Sequence, residues 1–239
     1  MRTVNFRKEM QRVRLELNQG IKAISSFAKE VRTTFNEWKF LYEEAHPGLL
    51  NLAESIAKKG WLIPPNMGIS EMLDVVDEEN PEDVFKKFYG NTVNYKEMRI
   101  TLNNCDLLDK DLMKECLWCY ENNTYKIIVP ALLIQIEKLL VKVCNTKKIG
   151  RGLSRAFEEE VQKRKDMSFW FLHLHAASTF INEIFDKHDF DEERLESWNR
   201  AWVLHGRDDS KYWTDIEVLK LLNLLFSLTF INEIMNEQL

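Results

Sequence analysis

The chain has 239 residues, 45% hydrophobic and 30% charged, the balance of an ordinary globular protein with a full core. Its 8 glycines and 5 prolines are too few for a turn-rich β fold, and helices are favoured instead. A net charge of −5 argues against a general nucleic-acid coat, so any RNA contact must be a local basic site.

Arg2, Arg7, Lys8, Arg12 and Arg14 break up the N-terminus before an apolar run can form, so no signal peptide is expected. No stretch reaches the ~18 uninterrupted apolar residues of a membrane span. Residues 5–44 read as one long amphipathic helix, with Met10, Val13, Leu17, Ile24, Phe27, Val31, Trp38 and Leu41 at heptad-like spacing. That seam suits packing on the chain's own core and a dimer contact equally well. Pro47-Gly48 ends it. A helix over Leu49–Lys59 closes at Gly60, and Trp61 to Gly68 forms a stiff apolar loop around Pro64 and Pro65. Short acidic helices are expected at Ser70–Val76 and Pro81–Tyr89, the second with Asn80 as its cap, before a turn at Gly90-Asn91.

From Asp106 onward the pattern is helical. Leu107–Glu121 is one predicted helix. Tyr125–Cys144 is apolar on most faces and reads as a central, buried helix, with Gln135 and Glu137 as its inner polar residues. Lys147 to Gly152 is a basic, glycine-broken loop. Helices follow at Phe157–Phe185, bent near Asp166, at Glu192–Leu204 and at Asp215–Asn236, the last again a core helix. The fold class is therefore all-α: an N-terminal helical region over 1–100 and a helical bundle over 105–239.

Asn199-Arg200-Ala201-Trp202-Val203-Leu204-His205-Gly206 carries the chemistry. A guanidinium grips a phosphate and offsets charge developing on it. An imidazole titrates near neutrality and moves a proton. Five positions apart on a straight helix, Arg200 and His205 would point about 140° away from each other. Gly206 fits the left-handed residue just past a helix end, which places Arg200 on the last turn and His205 where the chain leaves it. Both would then face one phosphate, within one chain or across a two-fold interface. An arginine and a histidine at a helix end also serve simply to satisfy its last carbonyls.

Glu137, a carboxylate in an apolar run, must find a partner or protonate. Arg200 is the natural candidate, and exposure at a groove edge is the alternative. Arg194, Arg207, Lys211 and the Lys147–Arg151 loop are candidate phosphate contacts. Trp202 and Trp213 are able to stack a base, although Trp202 is better suited to the bundle. His173 and His175, two apart, diverge on a helix and make a poor zinc pair. Cys116 and Cys119 have C-x-x-C spacing without a second such pair, and read as two helix residues with reduced thiols.

The segment Asn199-Arg200 to Leu204-His205-Gly206-Arg207, followed by Tyr212 and the helix Ile216-Glu217-Val218-Leu219-Lys220-Leu221-Leu222, resembles the HEPN superfamily of helical ribonucleases, of the bacterial abortive-infection and phage-defence type. Trp61 to Met67 and Ile128 to Glu137 add to a likeness over roughly residues 50–235. The resemblance implies metal-independent RNA cleavage to a 2′,3′-cyclic phosphate, with neither metal nor cofactor. It assigns Arg200 to the scissile phosphate and His205 to general acid–base work. Asn199 and Glu137 become supporting residues, and Arg207, Lys211 and Tyr212 RNA contacts. The family's site forms where two domains meet, so the resemblance implies a cytoplasmic homodimer acting on RNA, with room for an antitoxin or trigger protein as partner. The residue after the motif arginine is typically polar in the family and is Ala201 here. That departure leaves a catalytically silent dimerisation or RNA-binding module as the alternative.

Overall fold

A computed structural model describes residues 50–68, 71, 74–75, 80–164, 168–189, 191, 193–194 and 198–237. The helix expected over 5–44 lies outside the described residues, and that over Ser70–Val76 lies largely outside them. Among the described residues the chain is helical and has no strand. Residues 50–58 form α1. Then come α2 (Pro81–Gly90), α3 (Thr92–Asn104), α4 (Lys110–Glu121), α5 (Val129–Val143), α6 (Arg151–Gln162), α7 (Ser168–Phe185), α8 (Arg200–Leu204) and α9 (Asp215–Glu237). Two 3-10 turns, Tyr125–Ile128 and Ser210–Tyr212, lead into α5 and α9. No helix among the described residues is long and apolar enough to cross a membrane.

The bundle is organised around α9. Every residue from Leu221 to Thr229 is buried, as an all-round apolar helix requires, and α9 packs against α3, α5 and α7. Asn223 is fully buried on this helix. Its Oδ1 accepts the Leu62 N–H at 2.8 Å and its Nδ2 donates to the Tyr89 hydroxyl at 2.7 Å. One amide thus pins the Pro64-Pro65 loop and the end of α2 to the core, with both of its polar ends satisfied. Burial pushes the Tyr89 hydroxyl pKa up, well above its ordinary value.

Several predicted elements are corrected. Helix α5 is less central than its composition suggests: Ile134 is 49% exposed and Ile127, in the turn before it, 76%. The turn itself is 3-10, and Pro130 falls in the first turn of α5, where its missing N–H costs nothing. Helix α3 was not foreseen. Asn91, read as a turn residue, is its N-cap and accepts the Val93 N–H at 2.9 Å. The predicted Phe157–Phe185 helix is two helices, the first starting at Arg151, with Gly150 at φ 53 just before it.

The largest correction is at Glu192–Leu204. Of that expected helix, only Arg200–Leu204 is helical among the described residues. Asn199 has extended backbone (φ −122°, ψ 114°), and its side chain accepts the Trp202 N–H, so the helix begins there. Arg200 is consequently its first residue and does not sit on a last turn.

Candidate active site

The single turn α8 packs between α5 and α7. Its N-cap, Asn199, is 5% exposed. Asn199 Oδ1 accepts from Trp202 N at 3.1 Å, and Nδ2 donates to the Asp186 carbonyl at the end of α7, also at 3.1 Å. Both amide ends are therefore spent on holding α8 in place. This corrects the expectation that Asn199 adds a polar group to the site: its work is to position Arg200.

Arg200 reaches across to Glu137 on α5. Nη2 donates to Oε2 at 2.9 Å. Nε lies 2.9 Å from Oε1 as an ionic contact, outside hydrogen-bond alignment. The pair is half-buried, the side chains being 25% and 19% exposed. Glu137 thus occupies the Nε/Nη2 edge of the guanidinium. The Nη1 end has no partner among the described residues and keeps its donors for an oxyanion.

At the other end of the turn, His205 is the exposed C-cap. Its backbone N–H donates to the Ala201 carbonyl at 3.0 Å. Gly206 follows at φ +67°, the left-handed conformation that the sequence motif requires, and Arg207 N and Asp208 N both return to the Trp202 carbonyl. Five residues of helix separate the two chemical groups by roughly 7 Å along the axis. Arg200 is turned toward α5, while His205 stands at the exposed exit.

The loop between α8 and α9 holds the other candidates. Arg207 is exposed. Tyr212 is 43% exposed, with the Arg194 guanidinium carbon 4.2 Å and the Lys211 ammonium 4.8 Å from its ring centroid. Lys211 also pairs with Asp209 at 3.1 Å. The Lys211 backbone N–H and then its ammonium hold the Asp209 carboxyl below its usual range. The loop is braced by Asp208, whose side chain is 4% exposed. It accepts Arg194 Nε at 2.6 Å and Trp213 Nε1 at 2.8 Å. Arg194 is therefore committed to this brace as well as to Tyr212. Trp202 is buried and donates to the His188 carbonyl, so it packs in the bundle. From the basic loop, Arg151 reaches Asp186 at 3.2 Å, the residue whose carbonyl holds Asn199.

Sequence reasoning missed three residues that build the site's frame. Gln135, fully buried two positions before Glu137, accepts the Asp109 N–H and donates to the Asp109 carbonyl, both at 2.9 Å, clipping the start of α4 to α5. Its place in an apolar run was the visible signal. Asp208 and Trp198 carried none, because their partners depend on how the loop folds back. Among the described residues no cluster of His, Cys, Asp and Glu is arranged to hold a metal ion. His173 is buried, which pushes its pKa down to about 4, and burial pushes the Cys116 thiol up to about 12.

No family model, curated protein or solved structure matches this chain. What the fold and site define is an all-helical bundle with an arginine–glutamate pair and an exposed histidine at the two ends of one capped helical turn.

Proposed function

We propose that the chain is a metal-independent endoribonuclease of the HEPN type, acting on cellular RNA in phage defence or as a toxin. The observation that carries this reading is the Arg200–Glu137 pair, which fixes the guanidinium by one edge and leaves Nη1 for a phosphate oxygen. In the proposed reaction Arg200 binds the scissile phosphate and offsets the charge that grows on it. His205 takes the proton of the ribose 2′-hydroxyl. The 2′-oxygen attacks phosphorus, and the P–O5′ bond breaks. A protonated histidine returns the proton to the leaving 5′-oxygen, giving a 2′,3′-cyclic phosphate and a 5′-hydroxyl.

Arg200 and His205 occupy opposite ends of α8, so a second copy of the chain completes the site most simply, the histidine of one copy serving the arginine of the other. The uncovered Ile134, one turn before Glu137 on α5, supports a homodimer at this face. Arg207, Lys211 and Tyr212 line the RNA approach, and the compartment is the cytoplasm. An antitoxin or trigger protein would act on this same face.

One observation favours the second reading, a silent RNA-binding or dimerisation module. Ala201 places an apolar side chain beside Arg200, and Glu137 already holds part of the guanidinium. Induced expression in bacteria separates the two. The enzyme slows growth and His205→Ala relieves it. Equal growth of both forms, with RNA bound but uncut by purified protein, supports the module.

A further inference from the structure

A recess of about 240 Å³ opens between the end of α1, the start of α2 and α9, away from the Arg200–Glu137 pair. We propose that it binds a small oxyanion-bearing molecule, its indole donor at Trp61 and its spare ammonium at Lys59 being left unused by the protein itself. The volume corresponds to about eight waters, enough for a phosphate or carboxylate on a short carbon frame.

Gly60, Trp61, Phe180, Trp198, Lys59 and Lys220 are among the residues that form the walls. Trp61 is 1% exposed and stacks on Phe85 at 4.6 Å, yet its Nε1–H has no hydrogen-bond partner. Three other indoles of this chain are satisfied: Trp198 on the Glu217 carbonyl, Trp202 on the His188 carbonyl and Trp213 on Asp208. A buried indole N–H ordinarily finds an acceptor, so the exception at Trp61 marks a place where the acceptor comes from outside.

The charges agree. Glu217 and Glu82 both lie on Lys220, and Glu82 also takes Lys86 at 2.8 Å. Lys58 pairs with Glu54 at 2.7 Å. Lys59 has no ion pair among the described residues, so the recess carries one positive charge beyond its own carboxylates. Gly60, at φ +83°, lets the backbone pass close to Lys220; a Cβ there would stand 3.0 Å from Lys220 Cδ. Trp198 stands two residues before Arg200, so a bound molecule would touch the segment that sets the arginine. The binding claim is independent of the ribonuclease reading.

The test is titration calorimetry of the full chain at fixed ionic strength with inorganic phosphate, glycerol 3-phosphate and succinate. Saturable one-to-one binding of at least one is expected, and the preferred probe tells a phosphomonoester site from a carboxylate site. Trp61→Phe keeps the ring and removes the donor. It should weaken that probe about tenfold or more, the usual worth of a charge-assisted hydrogen bond. Lys59→Ala, a surface change that leaves the thermal midpoint unaltered, should weaken it severalfold. Weakening in either folded variant supports the site. Failure of all three probes to saturate below ~10 mM overturns it, as does an affinity unchanged in both variants.

Discussion

Replacing Glu137 by glutamine removes one charge and keeps the shape, leaving Arg200 in a half-buried place without its carboxylate. At an effective dielectric of ~20 and a charge separation of about 4 Å, the bare attraction is about 4 kcal/mol. Both side chains retain contact with solvent and both lost hydration on pairing, so only part of that survives. A net coupling of about 1–2 kcal/mol is expected. In a chain of 239 residues, Glu137→Gln should then lower the thermal midpoint by roughly 2–8 °C. The assay is a double-mutant cycle in urea with Glu137→Gln, Arg200→Gln and both together, which removes effects that either change has alone. A coupling below about 0.3 kcal/mol would show that the contact does not hold Arg200, and the positioning argument would fall with it. Under the proposed mechanism the same Glu137→Gln change lowers kcat on the order of tenfold, by letting the guanidinium wander, while KM moves little.

Asn199→Ala removes the cap of α8 and the bond to Asp186, and should cost about 1–2 kcal/mol in urea denaturation; a loss under ~0.3 kcal/mol would place the helix start elsewhere. Gly206→Ala meets nothing within 4 Å, so its cost is the strain of a positive φ alone, about 1–2 kcal/mol, and Gly206→Asn should recover part of it in the same melts. His173 has a folded-state pKa near 4, below its unfolded value of about 6.5, so the unfolded chain takes up the proton first. Stability should therefore fall as pH drops from about 6.5 toward 4, by on the order of 3 kcal/mol, and His173→Leu should flatten that slope. Parallel slopes for the two proteins would exclude His173 as the cause.

The helical class was legible because burial has a period. The apolar runs of α5 and α9 announce core helices, and Asn80-Pro81 and Gly206 announce a start and a stop through backbone chemistry confined to one or two residues. The pairing of Glu137 with Arg200 was also within reach, since a carboxylate inside an apolar helix needs a cation and Arg200 sits in the other motif. What failed was the extent of α8. Asn199 reads equally well as a mid-helix residue or as a cap. The choice is made by Asp186, whose carbonyl lies thirteen residues away in sequence, and no local pattern encodes that contact. The same reason hid Asp208, which braces Arg194 and Trp213 only after the loop has folded back. Helix α3 was missed because its apolar face is thin: Met98 and Leu102 are its buried residues.

The most direct test of the central claim is cleavage of an end-labelled RNA by purified protein in excess EDTA, beside Arg200→Ala and His205→Ala. The account predicts cleavage by the wild type with 2′,3′-cyclic phosphate ends, and its loss in both variants. Cleavage that survives either substitution, or an intact RNA with all three proteins, would contradict it.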